Sequence, residues 1–257
     1  MKILLCIKYD GKAFCGYQVQ NNKRTVQGEL NLASLAVHGV KCNITGCSRT
    51  DSMVHAQCFY LTVEAKDGSE LNIPTDKLTF AYNAHLPEDI SVIKAYRVDD
   101  DFHPRYDVIN KEYTYLIHNS KIKDPFMSMR ALHFPYDIDN LAIEKMRTAA
   151  SYLIGEHDFC SFMASGSSVK DTVRRIDSVS VEKNGDIIVF KISGNGFLYN
   201  MVRIIVGTLL DVALGKIDAQ DVKIIIESKD RKKAGKTVAA HGLYLSNVTY
   251  PVKFEIN

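Results

Sequence analysis

The chain holds 257 residues with a formal net charge of +2, and 46% of its residues are apolar. That length suits one large domain or two small ones with a buried core, and the composition excludes an intrinsically disordered chain. A charge so near zero does not announce nucleic-acid binding, so any basic surface must be local.

Taken in order, Lys2 to Tyr9 reads as a strand and stops at Asp10-Gly11. The next stretch, Phe14-Cys15-Gly16-Tyr17-Gln18-Val19-Gln20, is irregular and rich in aromatics and amides. Thr25 is placed to cap a helix carrying Val26, Leu30, Ala33 and Val37 at helical spacing, with Gly39 as its stop. A polar loop, Gly46 to Ala56, precedes the apolar run Gln57 to Val63, read as the second strand. Asp67-Gly68 and Ile73-Pro74 mark turns, and Ile90 to Val98 makes a third strand.

Phe102-His103-Pro104-Arg105 reads as the crossover into a second half, giving expected domains 1–105 and 106–257. Lys111 to Ile117 alternates as a strand, and a helix opens near Asp139 or Asn140 with Ile143, Met146, Ala150 and Leu153 on one face, ending at Gly155. Ile176–Val181 and Asp186–Ile192 form a hairpin around Asn184-Gly185. The apolar segment Leu198 to Leu214 is a buried helix, because Arg203 and Asp211 interrupt it and exclude a membrane span. A short helix with Val222, Ile225 and Ile226 follows, and Leu243 to Tyr250 closes the chain as a strand. Strands clustered in hairpins with one or two long helices per half predict an α+β fold, two similar halves with a sheet on one face and helices on the other.

The six cysteines lack any Cys-x-x-Cys pair, which argues against a zinc site and fits reduced thiols in a cytoplasmic protein. His55 and His157-Asp158 have no metal-binding spacing and read as structural hydrogen-bonding residues. Only five apolar residues follow Met1-Lys2, too few for a signal peptide, so the expectation is a soluble protein. Candidates for a basic surface are Arg174-Arg175, the run Lys229-Asp230-Arg231-Lys232-Lys233, and Lys236.

The loop Gly46-Cys47-Ser48-Arg49-Thr50-Asp51-Ser52-Met53-Val54-His55-Ala56 concentrates groups able to carry charge or hydrogen bonds. A polar loop between regular elements is where a rigid scaffold places chemistry. Arg49 and Asp51 stand two residues apart, so in an extended backbone both side chains face one side. Composition alone fits an Asx-type turn with a surface arginine equally well.

The pattern Gly-x-x-Arg-Thr-Asp-x-x-Val-His-Ala of this loop resembles the signature of the tRNA pseudouridine synthase A family. The likeness spans nearly the whole chain in ordered blocks. They include Tyr9-Asp10-Gly11, Phe14 to Gln18, Thr25-Val26-Gln27, Leu86 to Ile90, Phe102 to Arg105, Lys111 to Tyr115, Gly155 to Phe159, Gly196 to Gly207 and Gly242 to Leu245. The resemblance implies the pseudouridine synthase fold, with its two halves flanking a central catalytic cleft. It also implies a homodimer that isomerises uridine to pseudouridine in the tRNA anticodon stem-loop at positions 38 to 40, without metal or cofactor. Open alternatives are a synthase for another RNA or for one of these positions only, and a non-catalytic RNA-binding module on the same fold.

Under that resemblance Asp51 is the nucleophile, attacking the ribose C1′ or the uracil C6. Arg49 enters the stack vacated by the flipped base and holds phosphate. Tyr113 matches the tyrosine that packs against the uracil; by strand pattern alone, Tyr113 and Tyr115 serve equally well. Arg203, a lone cation in an apolar helix, has Asp51 as its evident partner, the alternative being an arginine that snorkels to the helix edge. Leu245 and Phe197 line the pocket wall. The chain departs from the family at Cys47-Ser48 and Ser52-Met53, both usually Ala-Gly, and at Lys236 to His241, where an Ala-Pro run is usual. A methionine in place of glycine beside the nucleophile restricts the backbone and adds bulk.

Overall fold

A computed structural model describes residues 2–166, 169–254 and 256. The chain is α+β and divides into two compact units, residues 1–109 with 244–257, and residues 110–243. The first unit is built on β1 (Lys2–Tyr9), in which the apolar run from Ile3 to Ile7 is unbroken and Ile3, Leu4, Leu5 and Ile7 are fully buried. It pairs antiparallel with β3 (His55–Ala65) on one side and β4 (Ile90–Val98) on the other. A short strand, β2 (Cys42–Gly46), lies antiparallel along the second half of β3, from Leu61 to Ala65. Where β3 begins, the same strand takes a different neighbour. The closing strand, Leu243–Thr249, runs parallel to it with Tyr244 beside His55 and Leu245 beside Ala56.

Two helices accompany these strands. In α1 (Val26–His38) the Thr25 hydroxyl accepts the Gly28 N–H, and Val26, Leu30, Ala33 and Ser34 form the buried stripe. In α2 (Thr75–Asn83) Leu78 and Tyr82 are buried, and the Tyr82 hydroxyl lies 3.0 Å from both Ser34 Oγ and His38 Nε2. Those hydrogen bonds tie the two helices together through their buried faces. Neither β2 nor α2 is evident in the sequence. The strand is five residues of mixed polarity, and the helix buries only two side chains and opens after Pro74 with no side-chain cap.

The second unit arranges β5 (Asn110–His118), β7 (Gly155–Asp158), β8 (Val173–Asn184) and β9 (Ile187–Gly194) in the order β5-β9-β8-β7, all antiparallel. A two-residue strand, β6 (Leu132–His133), pairs parallel with the end of β5. The β8–β9 hairpin turns at Gly185-Asp186, one residue later than expected, because Asn184 pairs with Ile187. α3 (Asn140–Ser151) is capped by the Asp139 carboxylate on the Ala142 N–H, and it packs against β8 and α4 (Met201–Ala213). Ten of the thirteen residues of α4 are buried. At roughly 1.5–3 kcal/mol per buried large apolar side chain, its packing outweighs any helix-propensity term. α5 (Asp221–Ser228) buries Val222, Ile225 and Ile226. Among the described residues no helix is long and apolar enough to cross a membrane.

Candidate active site

The loop between β2 and β3 has no regular structure from Ser48 to Asp51, and its side chains alternate. Arg49 is exposed, Thr50 is buried and Asp51 is half-buried. This is the pattern of an extended segment in which Thr50 points inward while its two ionisable neighbours face the other way. Thr50 is held from two directions. Its hydroxyl lies 2.7 Å from the Tyr9 hydroxyl in a buried pair, and its carbonyl accepts the Tyr17 N–H at 3.1 Å. One residue further, the Phe14 carbonyl accepts both the Ser52 hydroxyl (3.1 Å) and the Met53 N–H (3.2 Å). At the other end the Cys47 N–H donates to the Tyr60 carbonyl at 2.8 Å. Each such bond is worth about 1 kcal/mol net, so together they add to the buried Cys47, Thr50 and Val54 side chains in holding the loop.

The loop closes in a four-residue turn in which the Val54 N–H donates to the Asp51 carbonyl (3.2 Å). Met53 occupies the third position of that turn with φ +65°. Turns of this kind favour glycine there, and a left-handed conformation costs a residue with a Cβ on the order of 1–2 kcal/mol. Across the loop, Gly16 has φ +88°, and a Cβ on it would stand 2.9 Å from the Thr50 carbonyl oxygen. A side chain at 16 would displace the backbone that carries Asp51.

At the start of β3, His55 is buried and stacks on Tyr244 with ring centroids 4.6 Å apart. Its Nδ1 accepts the Gly11 N–H at 3.0 Å, so the Asp10 carboxylate 3.2 Å away is a neighbour of that nitrogen and not its hydrogen-bond acceptor. Leu245, fully buried, pairs with Ala56 one residue beyond. In the first unit, then, Asp51, Arg49 and Leu245 lie on or beside one pinned loop.

The second unit collects Tyr113, Phe197 and Arg203. Tyr113 sits on β5, 8% exposed, with the Phe197 ring edge-on at 5.1 Å and 83°. Tyr115, on the same face of the strand, is fully buried, and burial pushes its phenol above its ordinary range. Its hydroxyl donates to the Ala239 carbonyl at 2.7 Å. The two tyrosines that strand pattern leaves equivalent are therefore different: Tyr115 is a structural donor, and Tyr113 faces an aromatic partner. Arg203 lies in the first turn of α4, half-buried. Its Nε donates to the Val238 carbonyl (2.8 Å) and its Nη1 to Asn200 Oδ1 (2.6 Å). It is a fixed guanidinium and not one snorkelling to solvent.

The chain matches the family profile described as tRNA pseudouridine synthase over residues 5–107 and 149–251. Curated relatives agree. The tRNA pseudouridine synthase A of Bacillus subtilis is 46% identical over 252 residues, covering 97% of this chain and 99% of the relative. Those of Acetivibrio thermocellus and Thermoanaerobacter pseudethanolicus are 45% and 46% identical over 248 residues, covering 96% of this chain and 99% of each relative. The chain belongs to the tRNA pseudouridine synthase family.

Sequence reasoning missed the residues that orient the family's motifs here. Asn200 takes a left-handed φ of +60° just ahead of α4 and offers its side-chain oxygen to Arg203. Asparagine tolerates this conformation, which is the one signal that would have found it, and it explains why α4 starts at Met201 and not at Leu198. Tyr9 and Thr50 read as a strand residue and a loop residue in the sequence, and only the fold makes them a pair. The expected basic run is also divided. Lys229, Lys232, Lys233 and Lys236 are exposed, with Lys229 paired to Asp158 at 2.8 Å. Arg231 turns inward instead, donating to the Ala234 and Gly235 carbonyls and the Thr237 hydroxyl, and desolvation lowers its pKa. His157 Nε2 lies 3.0 Å from the Ile154 carbonyl, and Asp158 accepts from the Cys160 N–H and the Thr172 hydroxyl. No cluster of three or more metal-ligating side chains occurs among the described residues.

Proposed function

We propose that the chain isomerises uridine to pseudouridine in the anticodon stem-loop of tRNA, at positions 38 to 40, with Asp51 as nucleophile and no metal or cofactor. Membership of the family supports the reaction class and the tRNA substrate. The observation that carries the assignment of Asp51 is its placement: the only carboxylate of a polar loop, half-buried, on a backbone pinned on both sides while its side chain faces away from the anchoring Thr50.

In this reading the uridine leaves the base stack and Arg49, exposed beside Asp51, occupies the vacated space and binds phosphate. Asp51 adds to the ribose C1′ or the uracil C6. The C1′–N1 bond breaks, the base turns over within the pocket, and a C5–C1′ bond forms; the bond to Asp51 breaks to free the carboxylate, and the proton leaving C5 is matched by one gained at N1. Tyr113 packs against the uracil ring, with Phe197 and Leu245 as apolar walls. Arg203, held by Asn200 and Val238, is the cation assigned to keep the nucleophile ionised. The chain acts as a cytoplasmic homodimer in which two copies share one tRNA, and sedimentation at twice 28.9 kDa is the expected result.

The deciding experiment is mass mapping of pseudouridine in an unmodified tRNA transcript incubated with the purified protein. New pseudouridine confined to positions 38 to 40 is expected. Product elsewhere, or in another RNA only, overturns the substrate assignment, and tight binding without any product overturns the catalytic one.

A further inference from the structure

Met53 is held where glycine belongs. It lies two residues from Asp51 in the same turn with φ +65°, and the Phe14 carbonyl binds its N–H and the neighbouring Ser52 hydroxyl. The backbone therefore has no freedom to relax the strain by rotating the turn. Burial repays that strain only in part, since Met53 keeps 36% of its surface exposed beside the exposed Ser52. A conformation that costs stability and gains little packing points to a use outside the folded chain. An unbranched thioether is long, apolar and adaptable, and such side chains serve as wedges between bases or as contacts for an unstacked base.

We infer that Met53 is a substrate contact, an apolar side chain presented beside the nucleophile to the unpaired nucleobases around the target uridine. The inference rests on the reading of Asp51 as the nucleophile. Its effect falls on positioning and specificity: Met53 holds the extruded base, or the gap it leaves, while Asp51 performs the chemistry. Uridines whose neighbours stack poorly on an apolar wedge are then the poorer substrates.

The test compares Met53→Gly, Met53→Leu and Asp51→Asn in the full chain. It measures thermal unfolding, the Kd for an unmodified tRNA transcript and kcat/KM for pseudouridine formation. Met53→Gly relieves the left-handed strain, so Tm rises by about 3 °C. It also removes the apolar contact, so kcat/KM falls by roughly tenfold. Met53→Leu keeps the apolar bulk and retains kcat/KM within about threefold. Opposite signs for stability and activity in one variant are what a purely structural residue does not give. A Met53→Gly protein with higher Tm and unaltered kcat/KM overturns the inference, as does one with lower Tm and lower activity. Asp51→Asn separates this from the underlying reading: if that variant keeps parental activity, the nucleophile assignment has failed independently of Met53.

Discussion

The loop that carries Asp51 and the helix that carries Arg203 reach fixed geometry by opposite routes. From Cys47 to Val54 the backbone is irregular and three of its eight residues are exposed, and much of its order comes from hydrogen bonds to Phe14, Tyr17, Tyr9 and Tyr60. In α4 nearly every side chain is buried, and order comes from packing. The segment 235–239 lies directly on that helix, so that a Cβ on Gly207 would stand 1.8 Å from the Lys236 carbonyl oxygen, and the Gly235 N–H donates to the Thr208 hydroxyl. A reactive carboxylate needs access for substrate, which burial would deny it. The Arg203 guanidinium is half-buried and held by the Val238 carbonyl and the Asn200 side chain.

Four experiments test that contrast. The largest effect is expected from Asp51→Asn, which preserves side-chain size and removes the charge. Pseudouridine formation should fall below detection while circular dichroism and tRNA affinity stay unchanged or affinity improves slightly. A folded, tRNA-binding variant that still turns over at the parental rate breaks the assignment.

Arg203→Ala comes next, with the single-turnover rate reduced about a hundredfold and the tRNA Kd altered less than about threefold. Poor binding with normal turnover at saturation would show that Arg203 grips the RNA and does not serve Asp51.

Two glycine variants then set the regions directly against each other. Gly16→Ala pushes on the Thr50 carbonyl from an already left-handed position, so activity should drop by about tenfold or more with a small change in Tm. Gly207→Ala drives a methyl into the Lys236 carbonyl, so Tm should fall by roughly 5–10 °C before any kinetic effect is resolved. Equal Tm losses in both variants would erase the distinction between a hydrogen-bonded loop and a packed helix.

The smallest effect concerns the Tyr9–Thr50 pair. Thr50→Val keeps the shape of the side chain and deletes the hydroxyl, and a fall of about fivefold in single-turnover rate is expected. Thr50→Ser restores the hydroxyl and should recover most of that loss. If serine and valine behave alike, the methyl group holds the loop and the hydrogen bond does not.

Much of this was legible beforehand because it is local. The strands read at Lys2–Tyr9, Ile90–Val98 and Lys111–Ile117 match β1, β4 and β5 within a residue of their ends, and the caps at Thr25 and Asp139 set the starts of α1 and α3. The spacing of Arg49 and Asp51 put both side chains on one side only if the loop was extended, and the exposed, buried, half-buried order of 49 to 51 is that of an extended segment. Where local signals were weak the reading failed. β2 and α2 bury too few residues to leave a period, and α4 begins late because Asn200 adopts a conformation that periodicity does not report.

What the sequence determined alone is the chemistry available: one carboxylate in a polar loop, an arginine in an apolar helix, and tyrosines alternating on a strand. What only tertiary structure decided is which of these are held, and by what. The closing strand follows the second unit in sequence, yet it lies parallel to β3 and sets Leu245 beside Ala56. Tyr9 reaches Thr50 across 41 residues, Tyr115 reaches Ala239 across 124, and Arg231 folds inward to carbonyls. Contacts between residues so far apart in sequence depend on how the sheets assemble. No local pattern carries that information, because the free energy that selects them comes from burial shared over the whole unit.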